Sequence, residues 1–560
     1  MGNLDTQYSD SSATARQVLD FILVSDRSAP DSSADLWPSA GAHGRLRAGA
    51  DGAEGFMHHL TGLGRGVPPF ALHVRSRDID WCLAVIGLSL CAGDRPERTA
   101  RRRVIIATEE AHRHRLECSR VPLRRPCSFD VRKRAAVTIG EIYSRTEPAS
   151  GSILDAYLAL EPDHRRKLLY FARDDRIRIA GLGSLAALAD PRSRPYTAVG
   201  SVERAPLLFA AGAFDPADGR TPNVLFQALR RDVYLLPEIT LIEESGDSFV
   251  QINSTQPPDD DAIAAVLAAF SGNGERRDRS GKSIGVTFTP PFREGWLADV
   301  DTALDRIRCG EIDKVVLARE SRVGTSAGFS SREMVLNLLE HEERGTLFLY
   351  EEDGTFFIGS TPELLVRKDG PTVSTMCLAG TISVGGSETE AEANREILLH
   401  DEKNLREHGF VVNHLREAFA PVCSDVEMPD SPTVLTLRHV QHLFTPVAGR
   451  VSNGVSVVDV RDALHPTPAL AGYPVRSSIA AIRQIEDFNR GLYGGPIGYV
   501  DLRGDGEFSV AIRSGVFCRD FGYVYAGCGI VEGSDPSAEY DELDAKLKTI
   551  LDAFQEADDE

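Results

Sequence analysis

The sequence has no long apolar run, no closely spaced cysteine pair and no net positive charge, and each absence narrows the class of protein. No stretch of about 18 uninterrupted apolar residues occurs, and the chain does not open on a basic segment followed by an apolar one. We therefore expect neither a transmembrane helix nor a secretory signal. The nine cysteines are scattered without a CxxC pair, which argues against a zinc site or a disulfide framework and fits a reducing cytoplasm. The formal charge of −21 disfavours nucleic acid and anionic membranes as partners, since both would repel the chain.

What is present indicates a large globular protein with two unlike parts. With 560 residues and 42% hydrophobic composition, the chain can bury a sizeable core, and we expect its partner to be a small molecule. Residues 1–145 are interpreted as an N-terminal extension of unknown function. Its first 50 residues are rich in Ser, Ala, Asp and Gly and are expected to be partly disordered, whereas residues 98–134 are basic. A solvated, variable extension and an anion-binding regulatory segment both stay open.

From about residue 150 onward, strand and helix patterns follow one another. The stretch "SILDAYLALE" has helical spacing, whereas "KLLYFAR" and "IRIAGLGS" have the patterns of strands. A helix, a "GEID" turn and a strand are predicted over residues 296–320, and the polar run 271–283 is predicted to be an exposed loop. Because strands and helices do not alternate regularly, the pattern favours an α+β fold with large, mainly antiparallel sheets.

Two residues at a strand and at a turn are candidates for acid–base chemistry. In "DKVVLAR", period-two alternation places Lys314 on the same face as Val316 and Ala318, so burial of that face would lower the lysine pKa and suit a general base. In "GSTPELLVR", Glu363 follows a turn between apolar segments, where burial would keep its carboxyl protonated and suit a general acid. A lysine that simply reaches solvent and a glutamate that caps the turn are the alternatives, and the residues alone leave both open.

Two predicted helices carry carboxylates that could form an oxygen-rich site. The helix in "EKNLREHGFVV" holds Glu407, and the helix in "SAEYDELDAKL" holds Glu539, Glu542 and Lys546 at i, i+3 and i+7, hence on one face. Carboxylates brought together from separate helices suit Mg2+. A solvated helix with a Glu542–Lys546 ion pair would explain the same spacing without a metal. Spacing alone does not decide between these readings.

Two later stretches carry residue types suited to an anionic ligand. Arg513 ends the apolar strand in "SVAIRSG" and could offer a fork of donors to a carboxylate. Gly527 and Gly529 in "YAGCGIV" would let backbone N–H groups approach an anion. No helix follows in the dinucleotide-binding order and no Walker lysine loop occurs, so NAD and ATP are discounted.

Taken together and in this order, these stretches resemble the chorismate-utilising enzymes, the family of anthranilate, aminodeoxychorismate, salicylate and isochorismate synthases. The motifs that carry the resemblance are "DKVVLAR", "GSTPELLVR", "CLAGT", "EKNLREH", "VQHLFTPV", "LHPTPALAGYP", "LYGGPIGYVD", "VAIRSG", "AGCGIV" and "EYDELDAKL". The match is strongest over residues 290–556. Within the family, "HPTPALAG" is similar to the isochorismate synthase form. The resemblance implies a catalytic domain over residues 150–556, with a sandwich-like core of antiparallel sheets flanked by helices.

The resemblance also implies an activity and residue roles: the reversible, Mg2+-dependent conversion of chorismate to isochorismate. Lys314 matches the general base that takes a proton from the attacking water, and Glu363 matches the general acid that protonates the departing 4-hydroxyl. Glu407 and Glu542 match the Mg2+ ligands, with Glu539 in support. The residues that match positions around the substrate are Thr381, His442, Ala469, Leu470, Tyr493, Arg513, Gly527, Gly529 and Lys546. For His442, a purely structural role stays open.

The implied substrate sets further expectations. Chorismate is a dianion and the implied pocket holds three or more glutamates, so Mg2+ should reverse the local field, and substrate affinity should collapse without it. Pro466 and Pro468 are expected to fix the backbone beside the substrate, while Ala469 and Gly472 keep side-chain bulk low. We expect a monomer that acts without a glutaminase subunit. The alternatives are a salicylate synthase, which goes on to eliminate pyruvate, and a catalytically silent family member. Whether the product serves siderophore, menaquinone or salicylate synthesis is not specified.

Overall fold

The computed structural model describes residues 141–174, 176–191, 197–199, 204–270, 281–289, 293–342 and 344–555, together with four short strands nearer the N-terminus. The chain divides into two compact units, Met1–Arg132 and Lys133–Glu560. In the first unit, β1 (Asp20–Val24), β2 (Arg45–Arg47), β3 (Ala71–His73) and β4 (Ile105–Ala107) form one sheet in the order β2-β1-β3-β4. The rest of the predicted extension and most of the predicted loop 271–283 lie outside the described residues.

Ten helices are described in the second unit. They are α1 (Ile153–Leu160), α2 (Val224–Ala228), α3 (Asp260–Phe270), α4 (Arg293–Arg308), α5 (Ser331–His341), α6 (Glu388–His400), α7 (Glu402–Phe419), α8 (Val457–Leu464), α9 (Val475–Ile485) and α10 (Pro536–Asp552). Side-chain caps set several of their starts: Ser152 accepts a hydrogen bond from the N–H of Asp155, and Asp401 accepts one from the N–H of Asn404. The helices predicted in "SILDAYLALE" and in the two acidic stretches are confirmed.

The larger sheet has thirteen strands. They are β5 (Glu141–Ala149), β6 (Arg166–Ala172), β7 (Ile177–Leu182), β9 (Thr197–Val199), β12 (Ile239–Glu244), β13 (Asp247–Ser254), β14 (Thr287–Thr289), β15 (Lys314–Gly324), β16 (Thr346–Glu352), β17 (Thr355–Thr361), β23 (Gly472–Tyr473), β26 (Ser514–Cys518) and β27 (Phe521–Val531). The order is β14-β15-β27-β26-β17-β16-β6-β7-β12-β13-β5-β9, with β23 added beside β15. All neighbours are antiparallel except β5 and β9. The sheet thus begins at Glu141, a few residues before the predicted start of the domain.

The smaller sheet has ten strands, all antiparallel. They are β8 (Ala186–Leu188), β10 (Leu207–Ala211), β11 (Val233–Leu236), β18 (Leu364–Asp369), β19 (Thr372–Ser383), β20 (Cys423–Glu427), β21 (Thr433–Thr436), β22 (Val440–Val451), β24 (Pro496–Asp501) and β25 (Gly506–Val510). The order is β20-β22-β19-β18-β25-β24-β10-β11-β8, and β21 pairs with β22. Because the chain crosses between the two sheets, neighbouring strands often come from distant parts of the sequence.

The core lies between the two sheets and under the helices. Alternation along β6 shows this: Leu168 and Tyr170 enter an apolar cluster shared with the smaller sheet, whereas Leu169 and Phe171 enter the cluster that includes the helices. Tyr170 meets Tyr499 of the smaller sheet with ring centroids 5.5 Å apart. The predicted α+β fold, with mainly antiparallel sheets packed in a sandwich and flanked by helices, is confirmed. Among the described helices, none is long and apolar enough to cross a membrane.

Candidate active site

The predicted site residues converge where β15 begins. The register of the larger sheet sets Val316 of β15 opposite Gly529 of β27, and Ala318 opposite Gly527. Helix α10 packs on β27 and helix α7 packs on β19, so the carboxylates of both helices reach the same region. Residues more than 200 positions apart in the sequence thus become neighbours.

Lys314 is fully buried and ion-paired. Its side chain has no exposed surface, and its Nζ lies 3.0 Å from Oε1 of Glu407. The alternative of a lysine that simply reaches solvent is therefore wrong for this structure. A Cβ on Gly529 would lie 2.2 Å from Oε1 of Glu407 and 2.9 Å from Cε of Lys314. The absence of a side chain at Gly529 thus admits this ion pair, and an approach of its backbone N–H to an anion stays a prediction.

Glu363 is buried at the turn that follows β17. It is 5% exposed, its N–H donates to Oγ1 of Thr361 at 3.3 Å, and its backbone oxygen accepts from the N–H of Val510 at 3.0 Å. Burial raises the pKa of its carboxyl to about 7, although the positive charges of Arg513 and Lys314 act in the opposite direction. At neutral pH, a large fraction of this carboxyl therefore carries a proton that it could donate.

His442 links Thr381 and Arg513 in a chain of hydrogen bonds. Its Nδ1 lies 3.0 Å from Oγ1 of Thr381, and Nη2 of Arg513 lies 3.1 Å from its Nε2. Because a guanidinium only donates, Nε2 must accept, which leaves the ring proton on Nδ1 to donate to Thr381. Burial and the charge of Arg513 hold the pKa of His442 well below its usual range, so the ring is neutral. Arg513 itself sits between β25 and β26 at φ 52°, a left-handed conformation uncommon for arginine, and burial lowers the pKa of its guanidinium.

Each of the three predicted acidic residues has a lysine partner. Besides the Lys314 contact, Nζ of Lys546 lies 2.6 Å from Oε1 of Glu542, and Lys403 pairs with Glu539. Burial and the nearby charge of Glu542 raise the pKa of Glu539, although Lys403 opposes the shift. The i,i+4 pair foreseen as a metal-free explanation of α10 is therefore present.

The donor types of these three residues are those of a magnesium site. Glu407 and Glu542 with Glu539 offer only carboxylate oxygens, the hard ligands that Mg2+ prefers. Burial would raise the pKa of Glu407, but the charges of Lys314, Lys546 and Lys403 outweigh it and lower the pKa. Glu407 is thus available as a carboxylate, and the repulsion between Glu539 and Glu542 is the kind that a cation relieves.

The loop "HPTPALAG" is tied to the backbone around Lys314 by a buried ion pair that sequence reasoning missed. Nη1 of Arg490 donates to the oxygen of Leu470 and Nη2 donates to the oxygen of Val316, at 3.0 and 2.6 Å. Glu486 holds this guanidinium and also accepts from the N–H of Ala318 at 2.8 Å. The only sequence signal for this ion pair is the i,i+4 spacing of Glu486 and Arg490. The pair fixes the distance between the loop and β15.

Gly472 and Pro466 have other surroundings than expected. A Cβ on Gly472, at φ 118°, would lie 2.2 Å from the backbone oxygen of Lys314, so this glycine serves close strand packing rather than space for a ligand. Pro466 follows a cis peptide bond and lines a cavity of about 390 Å³ together with Asp232 and Arg461. No predicted catalytic or metal residue lines that cavity. Leu470 is buried, and Ala469 is partly buried against the large core.

Tyr493 and the remaining residues complete the wall of the site. Tyr493 is 4% exposed and stacks on Tyr525 with ring centroids 5.0 Å apart, and burial raises its pKa to about 12, so it stays a phenol. The backbone oxygen of Gly527 accepts from Nζ of Lys546 at 3.1 Å. The N–H of Thr381 donates to Oδ1 of Asn404, a further residue of α7 that the sequence did not single out.

Comparison with known proteins gives consistent matches. Residues 152–555 match the protein family described as chorismate binding enzyme. Isochorismate synthase MenF of Bacillus subtilis is 36% identical over 353 residues, which span 62% of this chain and 74% of that protein. The chloroplastic isochorismate synthase of Catharanthus roseus is 30% identical over 401 residues, which span 68% of this chain and 69% of that protein.

Solved structures with a similar fold belong to the same group. The menaquinone-specific isochorismate synthase MenF of Escherichia coli aligns with a TM-score of 0.62 and 25% identity, over 74% of this chain and 95% of that chain. Anthranilate synthase component I of Streptococcus pneumoniae shares the fold, with a TM-score of 0.55 and 20% identity over 82% of this chain and all of that chain.

Proposed function

This chain belongs to the chorismate-binding enzyme family, and from that premise we propose that it is an isochorismate synthase. The reaction is an isomerisation in which one water adds at ring position 2, the double bonds shift, and the 4-hydroxyl leaves as water. The observation that carries the proposal is a buried lysine and a buried, partly protonated glutamate in one electrostatic environment. The named relatives support the choice of product.

The two proton transfers fall to these two residues. Glu363, with a pKa of about 7, donates its proton to the departing 4-hydroxyl. Lys314 accepts a proton from the attacking water once its amine is neutral, and Glu407 holds the resulting ammonium 3.0 Å away. Lys314 gains one proton and Glu363 loses one, so the net charge of the enzyme does not change during the reaction. Proton exchange with water then restores the starting protonation state of each residue.

The substrate's carboxylates meet fixed positive charge. Arg513 is buried and held by neutral His442, and Lys546 is held between Glu542 and the oxygen of Gly527. We propose that Glu407 and Glu542, with support from Glu539, hold Mg2+, which would supply further positive charge for a substrate carboxylate. Leu470 and Tyr493 are buried and exclude water from this region.

Turnover of chorismate by the purified full chain tests the proposal. We expect isochorismate as the product with Mg2+ present, measured by chromatography, and less than about a tenth of that rate for Lys314→Ala and for Glu363→Gln. Release of pyruvate in step with salicylate would instead identify a salicylate synthase. Absence of turnover, with the protein folded, would favour a catalytically silent member. Size-exclusion chromatography checks the proposed monomer.

A further inference from the structure

A second group of potential metal ligands lies at the far end of α10. Asp552 is the last residue of that helix, His439 directly precedes β22, and Glu342 directly follows α5. One ligand atom from each residue lies within 4.8 Å of the other two. Along the helix, Asp552 is ten residues beyond Glu542, which corresponds to about 15 Å at 1.5 Å per residue. The group is therefore distinct from the predicted magnesium ligands, although Arg513 of the candidate active site lies close enough for its charge to act on Glu342.

Glu342 carries the observation that distinguishes this group from an ordinary surface cluster. Glu342 is 7% exposed, and its Oε1 is buried without a hydrogen-bond partner among the described residues. A buried carboxylate oxygen without a partner costs free energy that a protein normally avoids. Burial, together with the charge of Asp552, raises the pKa of Glu342, although His439, Arg438 and Arg513 oppose the shift. The carboxyl therefore lacks a partner that a proton or a cation could supply.

The other two members face the same point and remain reachable. Nε2 of His439 lies 2.7 Å from Oδ2 of Asp552, and the two side chains are 21% and 15% exposed. Arg438 is the neighbouring positive charge and is half exposed: its Nη1 donates to the backbone oxygen of His341 at 3.1 Å, and its Nε makes a longer contact of 3.7 Å with Oδ2 of Asp552. An ion entering from solvent would exchange this loose contact for direct ligation.

We propose that Glu342, His439 and Asp552 bind one divalent transition-metal ion of the zinc class. Two carboxylates and one imidazole form a mixed oxygen and nitrogen set, which suits Zn2+ or Co2+ better than Mg2+. Neutral imidazole is the ligand form of histidine, so metal binding would replace the contact between Nε2 of His439 and Oδ2 of Asp552. The ion would join the ends of α5 and α10 to the start of β22, the strand that carries His442.

Calorimetric titration of the untagged full chain with Zn2+ tests this site. The protein is first stripped with a chelator and dialysed, its accessible thiols are alkylated because Cys309 is exposed, and excess Mg2+ is kept present to occupy magnesium sites. We expect one Zn2+ per chain for the wild type. Binding should weaken by about tenfold or more in Glu342→Gln and in His439→Gln, and should be unchanged in His400→Gln, which alters an exposed histidine elsewhere.

The outcomes separate cleanly. Melting curves without zinc establish that each variant is folded, and Glu342→Gln decides the matter if His439→Gln does not fold. Visible absorption of Co2+ added in place of Zn2+ reports the ligands, and its intensity should fall in both variants. No binding by the wild type, or equal binding by all three variants, would overturn the proposed site. The readout does not involve chorismate, so it stands apart from the proposed function.

Discussion

Replacing Glu363 with glutamine should change how the protein's stability depends on pH. Its carboxyl has a pKa of about 7 in the folded chain, against an ordinary value of 4.5. The folded pKa is the higher one, so the favourable contribution of this group is complete below pH 4.5 and is lost as the pH rises through about 7. The difference amounts to roughly 3 kcal/mol at about 1.4 kcal/mol per pH unit. Glutamine keeps the shape and removes the ionisation.

Urea denaturation at a series of pH values measures the effect. The free energy of unfolding of Glu363→Gln minus that of the wild type should increase by roughly 3 kcal/mol between pH 4 and pH 8. Glu402→Gln, at an exposed position on α7, controls for the loss of one negative charge. Parallel curves for Glu363→Gln and the wild type would refute the reasoning, because they would mean that burial does not keep this carboxyl protonated. The acid role would then lose its physical basis.

Four further changes probe the metal and the substrate side of the site. Glu542→Ala should raise the Mg2+ concentration needed for half-maximal turnover by about tenfold or more, and an unchanged metal titration would contradict its ligand role. Lys403→Met should lower that concentration, since the carboxylate it holds is freed; a higher requirement would count against this. Gly529→Ala should reduce kcat/KM by about a hundredfold through displacement of the buried ion pair, whereas Gly409→Ala, with open space around its Cβ, should not. Ala469→Val should alter the ratio of isochorismate to other products before it alters the melting temperature, and an unchanged ratio would deny the loop a part in selecting the reaction.

Local patterns predicted the elements of the fold, but not their partners. Period-two alternation identified the strand that begins at Lys314, and helical spacing identified α7 and α10. The pairing of β15 with β27 depends on strand order across two large sheets, for which no local signal exists. The convergence of these residues in one site could therefore be predicted only from the resemblance to the family's motifs.

The roles of individual small residues were harder to predict than those of charged ones. Gly472 was expected to keep side-chain bulk low beside the substrate and Gly529 to let backbone N–H groups approach an anion. In the structure, a Cβ at Gly472 would meet the backbone of Lys314, and one at Gly529 would meet the side chains of Glu407 and Lys314. Arg490 was overlooked because it donates to the backbone oxygens of Leu470 and Val316, and contacts with backbone atoms produce no sequence pattern. A side chain that acts on backbone atoms has no pattern of its own.

The structure changes the electrostatic reason for expecting a metal ion. From the sequence, three glutamates around a dianion required Mg2+ to reverse a negative field. In the structure each of these carboxylates has a lysine partner, and Arg513 adds a further cation. A dianion therefore also meets positive charge that does not depend on a metal, and the collapse of affinity without Mg2+ stays a prediction. Mg2+ on Glu539 and Glu542 would compete with Lys403 and Lys546, and the ammonium groups released in this way would turn to the substrate's carboxylates. Mg2+ should then raise the affinity for the substrate, and the substrate should raise the affinity for Mg2+ by the same factor.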